Sequence, residues 1–389
     1  MEKLFAVCAP GLEPFLAQEL AGLGLAAASP LSKTGGTEGE LEGGIEFQGT
    51  LRDLYRANLW LRTASRVLVR LGEFYAAGFP ELRRKASRLP WERYLAPGQP
   101  VALRVTCKKS RLYHSGAVAE RVAGAIADRL GQPSPIVKHD EDAETGAPQL
   151  VIVRLANDQC TLSVDSSGAL LHRRGYRLAT AKAPLRETLA AGMLLASGWD
   201  RASPLLDPFC GSGTIPIEAA MLALNIPPGG ARRFGFMGWP SFDAGMWLKL
   251  LAASSPLPSK TGVGFILASD RDAGAIQAAQ ANAERAGGAD CIGFSCRAVS
   301  AIEPPPGPGW IVTNPPYGVR VSASRDLRNL YAQFGNVMRA KCPGWHVAML
   351  CEADNDQLIH NTGLAFDPSR SLSLVNGGLK VKLARGQVE

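Results

Sequence analysis

The sequence predicts an α/β protein in which an N-terminal α+β region precedes a doubly wound C-terminal domain. Beyond residue 185, short apolar runs alternate with segments of helical periodicity, and this alternation favours a parallel sheet covered by helices. Two apolar runs near residue 389 flank Asn376-Gly377-Gly378, a turn typical of β-hairpins, and they predict an antiparallel edge to that sheet. The first 65 residues have the order strand, helix, strand, helix, which is typical of a small ferredoxin-like unit.

Residues 1–65 form the first predicted domain. Continuous apolar runs predict its strands, and apolar side chains at helical spacing predict its helices. In chain order, these elements are expected over residues 4–8, 12–20, 45–47 and 51–59. Residues 30–44 contain five glycines and few large apolar side chains, so we expect an exposed loop there.

Residues 66–170 form the second predicted domain, an α+β unit with more charge. Its predicted strands lie at residues 67–69, 101–107 and 150–155, and one helix is expected over 118–130. The alternating run Thr161–Val164 is expected to form a hairpin with Ala169–His172 across Ser166-Ser167-Gly168.

Residues 171–389 form the third predicted domain. We expect three of its strands to end near Asp207, Asp270 and Asn314, with a further strand over 346–351. Predicted helices cover residues 185–193, 217–224, 272–286 and 327–338. The segment 226–247 is rich in glycine, proline and aromatic residues, and so long an insertion is expected to be functional or disordered.

The composition is that of a globular protein, with 46% hydrophobic and 20% charged residues. The formal net charge of +7 favours a polyanionic partner. The eight cysteines include no Cys-x-x-Cys pair, so we expect no metal site, and free thiols in a chain of this length favour a reducing cytoplasm. No apolar run approaches 18 residues and none near Met1 has the length of a signal peptide, so we expect no membrane association.

Clusters of basic residues indicate where a phosphate backbone could bind. The clusters lie at Arg83–Arg88, at Lys108–Arg111 beside Tyr113, and at Arg173–Arg177. Arg232, Arg233 and the aromatic residues of the insertion could hold a displaced strand, with a solvated loop over a hydrophobic patch as the alternative. A solvated basic face is the alternative for any single cluster. The predicted RNA contacts are Lys108, Lys109, Arg111, Arg173, Arg174, Arg232, Arg233 and Arg320.

The motif Asp207-Pro-Phe-Cys-Gly-Ser-Gly-Thr214 predicts a ligand-binding turn between a strand and a helix. Its glycines allow the backbone to approach a ligand closely, but it lacks the lysine and the spacing of phosphate-binding loops. Asp207 could bind an ammonium group, and Asp270 at the next strand end could bind ribose hydroxyls. An amino acid joined to a ribose describes S-adenosylmethionine. The alternatives are a loop-capping role for Asp207 and a helix cap for Asp270.

The motif Thr313-Asn-Pro-Pro-Tyr-Gly318 predicts a stiff turn after a buried strand, because each proline fixes its own φ angle. The side-chain oxygen of Asn314 and the carbonyl of Pro315 could each accept one N–H of a planar amine. Tyr317 could stack on the ring of that amine. Together with Pro316, these are the predicted catalytic residues. A structural turn with a core tyrosine is the alternative for this motif alone.

Taken together, the motifs resemble a known family. Asp207–Thr214 followed by Thr313–Gly318 is similar to class I methyltransferases that modify exocyclic amines. His172-Arg-Arg-Gly-Tyr-Arg177 and Ala183-Pro-Leu-Arg-Glu-Thr-Leu-Ala190 resemble the THUMP-domain RNA guanine-N2 methyltransferases. Cys8-Ala-Pro-Gly-Leu-Glu13 resembles their ferredoxin-like leader, so the resemblance covers essentially the whole chain.

The resemblance implies a THUMP domain that docks structured RNA and a Rossmann-like domain that methylates it with S-adenosylmethionine. Pro315 resembles the ribosomal branch of the family, because transfer-RNA members often have leucine at this position. A guanine in 23S ribosomal RNA is therefore the favoured substrate, and transfer RNA is the alternative. Neither a membrane nor a metal is expected as a partner.

Two positions depart from the family pattern. Val319 precedes Arg320 where the family often has glutamate. Cys296-Arg297-Ala298 replaces an aspartate that commonly contacts the cofactor's adenine, so we expect a backbone or apolar contact there. The predicted cofactor contacts are Pro184, Leu185, Asp207, Cys210, Gly211, Gly213, Thr214, Asp270, Arg271, Ala298 and Asn314.

The hypothesis for the mechanism is direct SN2 methyl transfer to a flipped-out guanine, in which positioning supplies most of the acceleration. An amine attacks without a covalent nucleophile, so Cys210 is interpreted as a packing thiol. Two other functions stay open. A DNA amino-methyltransferase would share the Asn-Pro-Pro-Tyr motif, and a non-catalytic RNA-binding protein could use a degenerate domain of this fold.

Overall fold

The computed structural model describes residues 1–25, 43–138, 148–178, 185–254, 265–317, 324–376 and 378–389. Some features predicted from the sequence fall outside these ranges. Most of the predicted loop 30–44 lies outside the described residues, as do Pro184, Val319, Arg320 and Gly377.

A six-stranded sheet forms the N-terminal part of the chain. Its strands are β1 (Glu2–Cys8), β2 (Gly43–Gly49), β3 (Ala64–Tyr75), β4 (Val101–Lys108), β5 (Gln149–Ala156) and β6 (Gln159–Asp165). They lie in the order β2-β1-β3-β6-β5-β4, in which only β4 and β5 pair in parallel. The strands predicted at 4–8, 45–47, 67–69, 101–107 and 150–155 are confirmed.

The helices of this region are α1 (Glu13–Gly22), α2 (Leu51–Trp60), α3 (Phe79–Ala86) and α4 (Ser115–Leu130), with a short 3-10 helix at Trp91–Arg93. The apolar stripes predicted for α1, α2 and α4 are buried in one core together with one face of the sheet, as Leu16, Leu54 and Val118 illustrate. Thr50 starts α2 with a capping box, in which its hydroxyl accepts the N–H of Asp53.

Strand β3 runs across the predicted boundary after residue 65. It pairs with β1 on one side and with β6 on the other, so that Leu68 lies opposite both Phe5 and Asp165. The first two predicted domains therefore share one sheet.

The predicted hairpin between Thr161–Val164 and Ala169–His172 is wrong. β6 instead folds back from β5 through Asn157-Asp158, whose φ angles of 51° and 61° are typical of a two-residue hairpin turn. Residues 169–172 form no strand. The N–H of Leu171 donates to the carbonyl of Ser65, and its side chain is buried.

A second sheet of eight strands forms the C-terminal domain. Its strands are β7 (Leu205–Asp207), β8 (Ile266–Asp270), β9 (Ile292–Cys296), β10 (Trp310–Thr313), β11 (His346–Glu352), β12 (Ala365–Phe366), β13 (Leu372–Asn376) and β14 (Leu379–Gln387). The order is β12-β14-β11-β10-β7-β8-β9, and the five strands from β11 to β9 are parallel. The predicted doubly wound, Rossmann-like class is confirmed.

Helices cover this parallel sheet, as the alternation of strands and helices predicts. They are α5 (Glu187–Ser197), α6 (Thr214–Ala223), α7 (Ala244–Ala252), α8 (Ala273–Ala286), α9 (Ser324–Lys341) and α10 (Asp356–Asn361). Short 3-10 helices occupy Gly235–Gly238, Ala289–Cys291, Val299–Ala301 and Pro368–Arg370. Tyr331, Phe334 and Met338 of α9 are buried in a second core.

The predicted antiparallel edge is confirmed. β13 and β14 pair in a hairpin with Asn376 opposite Leu379, and β14 pairs antiparallel with β11. Gly378 has a φ angle of 88°, a left-handed conformation that glycine adopts without strain.

The insertion at 226–247 packs against the N-terminal region. Its buried aromatic side chains are Phe234, Phe236, Trp239 and Trp247. The ring of Phe236 stacks on Tyr55 of α2 at 4.4 Å, and Nε1 of Trp239 donates to the side chain of Gln149 at 2.7 Å. The expectation that these aromatic residues hold a displaced RNA strand is corrected, because their rings are part of the core between the two sheets.

Candidate active site

The candidate site lies at the carboxyl ends of three adjacent strands. β7 occupies the middle of the sheet, and the chain continues from it to β8 and β9 on one side and later to β10 and β11 on the other. This reversal of strand order opens a crevice between strand ends, where doubly wound folds bind ligands. Asp207, Asp270 and Thr313 are the last residues of the three strands.

The glycine-rich turn after β7 is held by bonds to its neighbours. The N–H of Cys210 donates to the carbonyl of Ser269 at 3.0 Å, and the N–H of Gly211 donates to Oδ2 of Asp270 at 3.0 Å. From α8, the side-chain amide of Asn282 donates to the carbonyl of Ser212 at 3.2 Å. The turn is thus fixed relative to β8 and α8 by backbone and side-chain bonds.

The two glycines of this turn have different surroundings. Both have positive φ angles, 51° at Gly211 and 88° at Gly213. A Cβ atom on Gly213 would lie 2.9 Å from Cβ of Ala279, so glycine is required there for close packing against α8. A Cβ atom on Gly211 would meet no atom within 4 Å. One side of the turn therefore has room for a ligand next to the backbone.

Asp207 links the first strand to the third. Its Oδ1 accepts the hydroxyl of Thr313 at 2.7 Å and the N–H of Phe209 at 3.2 Å. The side chain is 1% exposed. Burial raises the pKa of this carboxyl from 3.8 to about 7, and the nearby charge of Asp270 adds to the increase, although the two hydrogen bonds oppose it.

Asn314 carries a buried acceptor at the end of the third strand. It follows the last residue of β10, and its Oδ1 is buried and has no hydrogen-bond partner among the described residues. A buried carbonyl oxygen without a partner costs about 1–3 kcal/mol. The atom is therefore a candidate acceptor for a ligand N–H.

Two tyrosines and the closing hairpin hold the rest of the proline-rich turn. The hydroxyl of Tyr331 on α9 donates to the carbonyl of Pro316 at 3.2 Å. The side-chain amide of Asn376 donates to the hydroxyl of Tyr317 at 3.1 Å. Pro315 is buried and Pro316 is exposed. The turn is therefore supported from two directions as well as by its prolines.

The other predicted cofactor residues occupy varied surroundings. Leu185, Cys210 and Thr214 are buried, whereas Arg271 and Ala298 are exposed at the ends of β8 and β9. Burial raises the pKa of the Cys210 thiol, which suits the packing role predicted for it.

Arg177, which was not predicted as a site residue, joins these segments. Its guanidinium donates to the carbonyl of Leu185 at 3.0 Å and to the hydroxyl of Thr214 at 2.7 Å. It also pairs with Glu187 at 2.9 Å. In the sequence, it stood out only as a member of the His172–Arg177 motif and of its basic cluster. Thr313 and Asn376 belonged to the two predicted turns without a role at the site, and Tyr331 was predicted only as part of the helix over 327–338.

Several predicted RNA contacts are accessible. Lys109 and Arg111 are exposed in the turn that follows β4, and Tyr113 beside them is 81% exposed. Lys108, at the end of β4, is half-buried. Arg173 is also half-buried, and Arg233 is exposed. The N–H of Arg111 donates to Asp158 at 2.7 Å, which orders the basic turn.

Two predicted RNA contacts are corrected. Arg174 is 3% exposed, and its guanidinium is enclosed by Glu218 and by the carbonyls of Leu171 and Arg62. Arg232 donates to four backbone carbonyls that follow β6. Both guanidinium groups use their N–H donors to join segments of the fold, so neither presents its charge to a phosphate.

Two cavities lie away from the three strand ends. One of about 590 Å³ lies at the sheet edge formed by β12 and β14, and one of about 320 Å³ is lined by Arg174, Tyr176 and Arg285. Within the described part of the chain, no cluster of three metal-ligating side chains occurs, and no helix has the length and apolarity to cross a membrane.

Comparison with protein families covers nearly the whole chain. Residues 3–68 match the RlmL ferredoxin-like domain, and residues 76–165 match the THUMP domain. Residues 174–382 match the family described as RMKL-like, methyltransferase domain.

Three similar proteins illustrate the range of relatives. A Synechocystis protein, named as a candidate RNA methyltransferase, is 35% identical over 98% of this chain and 95% of its own length. The ribosomal RNA large subunit methyltransferase K/L of Methylococcus capsulatus is 36% identical over 97% of this chain, which spans only 50% of that relative. A crystal structure named as that of a candidate methyltransferase complexed with SAH superimposes with a TM-score of 0.84 at 28% identity, covering 100% of this chain and 98% of that one.

Proposed function

Because this chain belongs to the methyltransferase family that combines ferredoxin-like, THUMP and RMKL-like domains, we propose that it methylates the N2 amine of a guanine in large-subunit ribosomal RNA. The observation that carries the proposal is the buried, unpartnered Oδ1 of Asn314 at the end of β10. An acceptor held in this way suits the exocyclic N–H of a planar base. An amine has one hydrogen for each of two acceptors, Asn314 Oδ1 and the Pro315 carbonyl, whereas a hydroxyl has only one hydrogen and a C–H group is a poor donor.

S-adenosylmethionine is the cofactor, and it supplies an electrophilic methyl group on a sulfonium when bound. The residues present fit it, since the open side of Gly211 leaves room beside the backbone. Asp270, at the second strand end, would accept ribose hydroxyls while it keeps the Gly211 N–H. Asp207 has its Oδ1 engaged by Thr313, so we propose that it mainly orients the strand ends beneath the amino-acid portion.

The chain's own residues would act on the base by positioning. Asn314 Oδ1 and the Pro315 carbonyl would each accept one hydrogen of N2, which favours a pyramidal nitrogen with its lone pair directed at the methyl carbon. The sulfonium would supply the methyl carbon to N2 and would keep the electron pair of its S–C bond as the neutral thioether. An amide is not a base, so the extra proton would leave to water after transfer. Alignment of the reacting atoms supplies the acceleration.

The basic turn after β4 supports an RNA substrate. Lys109 and Arg111 present charge on the THUMP-matching region, and the exposed ring of Tyr113 follows them by two residues. The names of the K/L relatives favour ribosomal RNA. A paired guanine would be flipped out at a cost of a few kcal/mol. The eight free cysteines and an RNA substrate together favour the cytoplasm as the place of action.

The experiment is transfer of labelled methyl groups to defined nucleic acids. The full chain is incubated with labelled S-adenosylmethionine and with 23S ribosomal RNA, transfer RNA or duplex DNA of matched length. We expect label in ribosomal RNA, and N2-methylguanosine in its nuclease digest by mass spectrometry. Label in transfer RNA alone would assign the chain to that branch, and methyladenine or methylcytosine in DNA would contradict the proposal.

A further inference from the structure

The closing hairpin reaches the ring that is proposed to stack on the target base. Asn376 is the last residue of β13, and its side-chain amide donates to the hydroxyl of Tyr317 at 3.1 Å. Both side chains are half-buried. A phenol held only by packing can rotate and tilt, whereas a hydrogen bond at its far end restricts both motions.

The other end of the same strand rests on the N-terminal region. Gly11 has a φ angle of 92° in the turn between β1 and α1. A Cβ atom on it would overlap the carbonyl oxygen of Ser373 and would lie 3.2 Å from Cδ2 of Leu374. Leu374 is 2% exposed and belongs to the same core as β1. Strand β13 is thus packed directly on the turn that starts the ferredoxin-like region.

The turn around Gly11 is itself ordered. The N–H of Gly11 donates to Oε2 of Glu13 at 2.7 Å. The side chain of Leu12 is buried against α5 at a point where a Cβ atom on Gly192 would lie 2.6 Å from it. The N-terminal region therefore supports β13 with backbone contact and core packing rather than with mobile surface side chains.

We propose that Asn376 is a positioning residue, which holds the ring of Tyr317 at the angle for stacking on the target guanine. Because β13 packs on the Gly11 turn, the side-chain amide of Asn376 keeps its position relative to the region that docks RNA. This inference rests on the proposed function, since it concerns the same base site. It adds a residue of the edge hairpin to a site otherwise built from the parallel strands.

A double-mutant cycle tests the bond. The variants Asn376→Ala, Tyr317→Phe and the double variant are compared in kcat/KM for ribosomal RNA, with cofactor Kd by calorimetry as the second readout. We expect each single variant to lose about threefold to tenfold in kcat/KM. The double variant should lose no more than either single one, and the cofactor Kd should stay unchanged. Tyr317→Phe keeps the ring and the hairpin intact, so it tests the bond even where the alanine variant folds poorly.

The matched control is Ser373→Ala, which removes an exposed hydroxyl from β13 and keeps the carbonyl at Gly11. It should retain the wild-type kcat/KM. Losses that add in the double variant, or full activity of Tyr317→Phe, would overturn the role of Asn376. An inactive wild-type chain on every RNA would instead reject the proposed function, so the two failures are distinguishable.

Discussion

The two turns that line the candidate site are built in opposite ways. The turn after β7 is rich in glycine, and the N–H groups of Cys210 and Gly211 bond to β8. The turn after β10 is rich in proline, and the buried Oδ1 of Asn314 is left without a partner among the described residues. Glycine brings backbone close to a ligand, whereas proline fixes the direction in which a neighbouring side chain points.

This difference suggests how the cofactor and the base of a methyl transfer could be held by separate turns. The first turn would accommodate the cofactor by its shape, because one side of Gly211 is open and the Gly211 N–H is already bonded to Asp270. In the proposed mechanism, the second turn would select the base by one acceptor, Oδ1 of Asn314. Substitutions in the first should therefore act on stability and cofactor affinity, and substitutions in the second should act on transfer to the base.

The largest effect is expected for Asn314→Ala. Loss of the acceptor should lower kcat by about 100- to 1,000-fold, because the amine is no longer aligned. Cofactor Kd by calorimetry should stay within about twofold of the wild-type value, since the backbone of the first turn is untouched. Asn361→Ala is the matched control, because Asn361 also has a buried, unpartnered side-chain atom but lies on α10. Loss of cofactor binding together with transfer would refute the division of roles.

A second test compares the two glycines. Gly213→Ala should lower the free energy of unfolding by about 3 kcal/mol, because it combines a left-handed φ angle with a contact against Ala279. Gly211→Ala should cost only about 1 kcal/mol of stability, since it adds strain without a clash. The new methyl group would occupy the open side, so Gly211→Ala should weaken cofactor binding more. Denaturant unfolding and calorimetry measure both; equal stability losses would contradict the comparison.

A third test uses pH. The pKa of Asp207 is raised from 3.8 to about 7 by burial, so the folded state keeps its proton where the unfolded chain has lost it. The stability from this group is complete below pH 3.8 and is lost as the pH rises towards 7. Its contribution to the slope should approach about 1.4 kcal/mol per pH unit.

Asp207→Asn should remove that part of the slope in unfolding experiments between pH 4 and 7. Thr313→Val should shift it to higher pH, because the lost hydrogen bond had lowered the pKa. A slope unchanged in Asp207→Asn would exclude this carboxyl as its source.

The smallest effect is expected for Tyr331→Phe. The variant removes the hydroxyl that supports the Pro316 carbonyl and leaves the buried ring in place. Since the prolines already stiffen the turn, kcat should fall by only about threefold. A loss as large as that of Asn314→Ala would show that α9, rather than proline, holds the second turn.

The strand ends could be predicted because apolar runs stop abruptly at Asp207, Asp270 and Asn314. The hairpin after β6 was mispredicted for a physical reason. The segment 169–172 buries Leu171 but does not pair as a strand. The residues that do form the hairpin turn are Asn157 and Asp158, between β5 and β6. An apolar pattern reports burial, but it does not report which backbone supplies the hydrogen bonds.

The supports of the site could not be predicted, because they join distant positions. Thr313 bonds to a residue 106 positions away, and Asn376 bonds to one 59 positions away. The basic residues show the same limit. A sequence displays the charges of Arg174 and Arg232, but only the fold shows that backbone carbonyls and Glu218 enclose them.

Strand β3 has a consequence for how such chains can recombine. Its first residues fall within the ferredoxin-like match, which ends at 68, and its last residue precedes the THUMP match, which begins at 76. A genetic crossover at residue 68, where the ferredoxin-like match ends, would cut a strand that is hydrogen-bonded on both sides. The two modules should therefore be exchanged together, and chimeras between relatives should be joined after β6.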